Sequence, residues 1–60
     1  MDFMQECGKA AKWVLELRAG GKASDATEVL MCEANRIAQA TGSSYADTKQ
    51  TIAFCLQMAA

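Results

Sequence analysis

The stretch IAQATGSSYADT (residues 37–48) ends one predicted helix and begins the next. Gly42 stands where helices commonly end in a left-handed residue, and Ser43 or Ser44 can cap the helix after it. Asp47, three residues after Ser44, supports this start because an acidic side chain favours the first turn. The chain contains no proline, and its other stretches are rich in Ala, Leu, Glu, Gln and Lys, which favour helix. These features predict an all-α fold.

A second break lies at Gly20-Gly21, where Gly20 is expected to be the left-handed residue and Ser24 to cap the next helix. The two breaks predict three helices, over residues 2–19, 25–41 and 44–59, joined by short turns. No linker, repeat or low-complexity segment interrupts the pattern. We therefore expect a single three-helix domain over residues 1–60.

The supply of core residues is small. A chain of 60 residues contains sixteen large apolar side chains, and a domain of this size hides only roughly 60% of the surface that its unfolded form exposes. Small domains usually add disulfides, a metal or a partner subunit. The composition therefore favours a chain that is stabilised by a second chain.

The cysteines and the absence of histidine bear on chemistry. Cys7, Cys32 and Cys55 are odd in number and form no CxxC motif, so we expect reduced thiols that act as small buried apolar residues. No histidine is available as a general base or zinc ligand, and no phosphate-binding loop occurs. We expect no enzyme activity, no metal and no cofactor.

The charge is nearly balanced, with six basic and seven acidic residues and a net charge of −1. This balance favours neither nucleic acid nor an anionic membrane as a partner. No run approaches the roughly 18 apolar residues of a membrane span. Asp2 and Glu6 stand where a signal peptide would carry positive charge. We expect a cytoplasmic protein that does not enter membranes.

Helix 3 has two apolar lines on opposite faces. One line contains Ile52 and Leu56; the other is formed by Asp47, Thr51, Phe54 and Met58. One helix cannot bury both faces in a bundle of this size. The pattern predicts a helical homodimer whose interface comprises Asp47, Thr51, Phe54 and Met58, arranged about a two-fold axis. Two alternatives stay open: a different protein on the same face, or a bent helix 3 that covers Phe54.

Trp13 stands at the edge of the apolar stripe of helix 1. Because tryptophan is frequent among the residues that dominate binding energies, we expect Trp13, Lys9, Lys12 and Glu16 to form a partner-binding surface. The alternative is a half-buried core tryptophan. The first interpretation predicts a non-enzymatic regulator or inhibitor that docks on a larger protein, as small helical proteins of phages and mobile elements do, which is an analogy only.

Residues 34–53 give another interpretation. Ala38 and Gly42, four residues apart, stand with Ile37 and Ser44 in a pattern that resembles the turn of a helix-turn-helix motif. The resemblance implies a dimeric DNA-binding transcriptional regulator that offers Ser44, Tyr45, Lys49 and Gln50 to the groove. The sequence departs from the motif at Thr48 and Thr51, where apolar residues are expected, and one lysine is a poor set of phosphate contacts. DNA binding is therefore the alternative function.

Overall fold

The computed structural model describes residues 1–59 and contains three helices, α1 (Phe3–Ala19), α2 (Ala23–Thr41) and α3 (Tyr45–Ala59), with no strand among those residues. Each helix packs against both others, and the molecule measures 32 × 20 × 17 Å. The predicted compact three-helix, all-α fold is confirmed. Ala60, the last residue of the predicted domain, lies outside the described residues.

Side-chain caps begin α1 and α3. The carboxylate of Asp2 accepts hydrogen bonds from the backbone N–H groups of Met4 (3.1 Å) and Gln5 (3.4 Å). At α3, the Ser44 hydroxyl accepts from the Asp47 N–H at 3.0 Å, so the predicted serine cap is present. Each cap satisfies backbone donors that a helix start otherwise leaves unpaired.

The turn between α1 and α2 differs from its prediction. Gly20 has a φ of −84°, and Gly21 is the left-handed residue, with a φ of +76°. The Lys22 N–H donates to the Leu17 carbonyl at 2.8 Å, a bond that closes the end of α1 within one turn. The chain can therefore enter α2 at Ala23, two residues before the predicted start. The prediction that Ser24 caps α2 was wrong, because Ser24 lies inside the first turn of the helix. α2 begins without a side-chain cap.

Gly42 ends α2 as predicted. Its φ of +73° is left-handed, and its N–H and that of Ser43 both donate to the Ala38 carbonyl. This arrangement satisfies an end carbonyl of α2 and turns the chain directly into the cap of α3.

The core is built mainly from small residues. Only four of the sixteen large apolar side chains are buried, Val14, Ile37, Ile52 and Leu56, and they form one cluster with Cys7 and four alanines. Thr48 is also fully buried, and its hydroxyl donates to the Ser44 carbonyl at 2.8 Å. This bond explains why a threonine is tolerated where an apolar residue is expected. Met31 of α2 is 49% exposed.

Seven large apolar side chains are exposed: Met1, Met4, Trp13, Met31, Tyr45, Phe54 and Met58. The accessible surface of 3884 Å² is close to the roughly 3800 Å² expected for a folded monomer of this mass. The domain is thus as compact as an ordinary monomer, and its unusual feature is which residues it leaves outside. Those residues define the candidate sites.

Candidate functional site

Two grooves flank α1, one on each side. The first, of about 470 Å³, lies between α1 and α2 and is called the Trp13 groove; its lining residues are Trp13, Leu17, Asp25, Glu28, Val29, Cys32 and Glu33. The second, of about 510 Å³, lies between α1 and α3 and is called the Phe54 groove; it is lined mainly by Met4, Gly8, Ala11, Leu15, Phe54 and Met58.

The Trp13 groove combines an apolar base with an acidic rim. Leu17 and Val29 are half-buried and pack against the core, whereas Trp13 keeps 47% of its surface exposed. All three charged residues that line the groove are acidic, and two of them, Asp25 and Glu28, come from the first turns of α2. The groove can therefore bury an apolar group beside concentrated negative charge.

An ion-pair network joins α1 to α2 beside this groove. Arg36 donates two hydrogen bonds of 2.9 Å to the Glu33 carboxylate and a third, of 3.2 Å, to Glu6. Lys9 lies 3.5 Å from the same Glu6 carboxylate. The hydrogen bond from Arg36, helped by Lys9, lowers the pKa of Glu6, and the two carboxylates raise the pKa of Arg36. Glu6 and Arg36 therefore remain charged and connect the two helices.

The structure separates the residues of the predicted partner-binding surface. Trp13 lines the groove between α1 and α2, but Lys12 lines the Phe54 groove on the other side of α1. Lys9 is engaged with Glu6, and Glu16 is exposed and lines neither groove.

Asp25, Glu28, Val29 and Cys32 are neighbours of Trp13 that the sequence did not reveal. Their pairing depends on how α1 and α2 lie against each other, which the apolar pattern of a single helix does not contain. The acidic start of α2 is visible in the sequence, but helix-dipole chemistry alone is enough to account for it there.

The Phe54 groove brings together most of the predicted dimer residues. Phe54 and Met58 are 57% and 74% exposed, and Met4 of α1, 54% exposed, lies with them. An adjoining hollow is lined by Met4, Asp47, Gln50, Thr51 and Phe54. The four residues predicted from α3 thus share one face, to which α1 adds Met4.

Gly8 leaves an opening in the Phe54 groove. A Cβ atom added at Gly8 would meet no other atom within 4 Å. Packing within the chain therefore does not require a glycine there, although a glycine inside a helix is destabilising relative to alanine.

The residues of the DNA-binding alternative lie on a third face. Tyr45, Lys49 and Gln50 line a shallow hollow on the outer side of α3, and Ser44 caps that helix. Behind them, Ile37 and Ala38 are buried, as the resemblance to a helix-turn-helix implies. Lys49 is the one basic residue lining this hollow.

The cysteines differ in environment. Cys7 is fully buried and its burial raises the pKa of its thiol, whereas Cys55 is half-buried. Cys32 is exposed and lines the Trp13 groove, so its predicted burial was wrong.

Among residues 1–59, no group of three or more Cys, Asp or Glu side chains could hold a metal ion. Nor does any helix within that range have the length and apolar character needed to cross a membrane.

Comparison with models of protein families, with curated proteins and with solved structures finds no match to this chain. The two grooves and the outer face of α3 are therefore the features from which a function can be inferred.

Proposed function

We propose that the chain is a non-enzymatic protein-binding module, a small cytoplasmic regulator or inhibitor that docks on a larger protein through the Trp13 groove. The observation that carries the proposal is a half-exposed tryptophan in a groove whose base is already packed against the core. Trp13 can lose the rest of its exposed surface only to another molecule, and fully desolvated tryptophans contribute most strongly to binding.

The experiment is an affinity capture from a lysate of the native host, with wild type and Trp13→Ala compared side by side. Trp13→Ala is expected to lose the target while retaining helical circular dichroism, because about half of the side chain is already in water. Met31→Ala is the matched control, since Met31 has a similar exposure of 49% and does not line the groove. Equal capture by wild type and Trp13→Ala would refute the proposal.

The second part of the proposal is that the module is a homodimer whose copies meet through the Phe54 groove. Met4, Phe54 and Met58 are exposed on one face with Asp47 and Thr51 beside them. A two-fold contact places the same patch on both partners. Flexible methionines around a central aromatic residue can adapt to their own copies.

Light scattering after size exclusion tests the dimer. The wild type is expected to have twice the chain mass of 6.4 kDa, and Phe54→Asp is expected to be monomeric because it buries a charge in the contact. Ala53→Asp provides the control, since Ala53 adjoins Phe54 in sequence but lines the outer hollow of α3. A wild-type monomer at micromolar concentration would contradict the proposal.

The second candidate function is a dimeric helix-turn-helix DNA-binding regulator. Two observations support it. Gly42 has a left-handed backbone conformation and follows the buried Ala38 by four residues. Tyr45, Lys49 and Gln50 share an exposed face. A genuine DNA binder should shift a DNA fragment at low salt, with affinity falling steeply as salt rises. Absence of a shift at low salt, or an unchanged shift in Lys49→Gln, would remove this candidate.

A further inference from the structure

We propose that the Trp13 groove accepts a basic amphipathic segment of its protein target, with an apolar side chain in the groove and an adjacent Arg or Lys at Asp25 and Glu28. This inference rests on the proposed function and adds the chemistry of the partner.

The first argument is charge complementarity. Asp25, Glu28 and Glu33 line the groove and no basic residue does. Glu33 is already paired with Arg36 at 2.9 Å, whereas Asp25 and Glu28 make no ion pair within residues 1–59. These two carboxylates are therefore available to a cation, and an acidic partner would be repelled.

The second argument is the tryptophan itself. A cation near an indole face is attracted by the ring, and arginine is the side chain that most often makes this contact. Arginine can also bind a carboxylate through two parallel hydrogen bonds. A single arginine beside an apolar anchor could thus use Trp13 and the acidic rim together, which a neutral or acidic segment could not.

The third argument is the size and base of the groove. A volume of about 470 Å³ lies within the usual range of small-molecule pockets, so the groove has room for an apolar side chain. The half-buried Leu17 and Val29 provide an apolar surface next to the rim. The occupant must therefore carry an apolar side chain with a basic side chain next to it. A basic amphipathic helix provides this pair along the border between its apolar and its basic face.

The test is a binding titration with three synthetic amphipathic peptides that share the same leucine positions and carry Arg, Gln or Glu at the intervening positions. Trp13 is the sole tryptophan, so its fluorescence reports binding in the groove. The Arg peptide is expected to bind most tightly, with an affinity that falls as salt rises. The Glu peptide is expected to bind most weakly.

A pair of variants isolates the rim. Asp25→Asn is expected to weaken the Arg peptide by about two- to fivefold, as measured for exposed ion pairs, and to leave the Gln peptide unchanged. Asp2→Asn is the matched control because it removes the same charge at the start of a helix, lines neither groove, and keeps a side chain that can cap α1.

The possible failures are distinguishable. Equal affinities for the Arg and Gln peptides, or equal effects of Asp25→Asn and Asp2→Asn, would overturn the basic partner and leave docking at Trp13 in place. No response to the Arg peptide, combined with a target capture that depends on Trp13, would overturn the same inference alone. Only a target capture that is indifferent to Trp13 contradicts the proposed function.

Discussion

The two sides of α1 present different surfaces to a partner. Toward α2, the Trp13 groove has an acidic rim and lies beside the ion pair that joins Glu6 to Arg36. Toward α3, the Phe54 groove is lined by methionine, phenylalanine and small residues, and its one charged lining residue is Lys12.

This difference separates two kinds of recognition. The Phe54 groove, whose one charged lining residue is Lys12, can meet a second copy of itself mainly through apolar side chains. The acidic rim of the Trp13 groove would repel its own copy and select a partner of opposite charge. One helix can therefore serve self-association on one side and target binding on the other.

The largest effect is expected on α3, where Ile52 is in the core and Phe54 is on the surface. Ile52→Ala should reduce the free energy of unfolding by about 2–5 kcal/mol, because Ile52 is fully buried. Phe54→Ala should cost about 1 kcal/mol or less, since 57% of Phe54 is exposed. Urea unfolding at low protein concentration measures both, and similar losses would place Phe54 in the core.

An intermediate effect is expected at Gly8, on the α3 side of α1. Gly8→Ala should stabilise the monomer by about 0.5–1 kcal/mol, because the added methyl group meets no neighbouring atom. The same methyl group should weaken the dimer by filling the groove at the contact. Thermal melts and light scattering check the two effects, and a stabilised variant with unchanged dimer affinity would place the contact away from Gly8.

The smallest effect concerns the ion pairs on the α2 side. The pKa of Glu6 is lowered in the folded chain from its ordinary value of 4.5. Its contribution to stability is therefore present above pH 4.5 and is lost as the pH falls through the lower, folded-state pKa. Melting temperatures measured across this range should fall less steeply in Arg36→Gln, which lacks the partner of Glu6.

Lys49→Gln is the control for the acid titration, because it removes one positive charge from a lysine that pairs with no carboxylate within residues 1–59. It should follow the wild-type pH dependence. A wild-type slope in Arg36→Gln as well would show that the ion pair between the helices does not contribute to acid sensitivity.

The sequence predicted features that depend on one helix at a time. Gly42 and Ser44 marked the second turn correctly, and the two faces of α3 separated Ile52 from Phe54 as the structure does. The first turn was misplaced because either glycine of Gly20-Gly21 can be left-handed, and the choice depends on the bond from Lys22 to Leu17.

What the sequence could not provide is the pairing of residues from different helices. Trp13 shares a groove with Asp25 and Glu28, and Met4 shares one with Phe54, because of how the helices lie against each other. The predicted surface of Trp13 with Lys12 grouped residues close in sequence that point to opposite sides of α1. Contacts within a helix were therefore easier to predict than the grooves between helices.

The most direct test is an amide chemical-shift map of the isotopically labelled chain, recorded first during dilution and then during addition of the Arg peptide. Dilution should shift signals around Gly8, Phe54 and Met58, and the peptide should shift signals around Trp13, Glu28 and Val29. Two separate sets of shifted residues are the predicted result. One shared set, or no change around Trp13, would contradict the division of α1 into a self-association side and a target side.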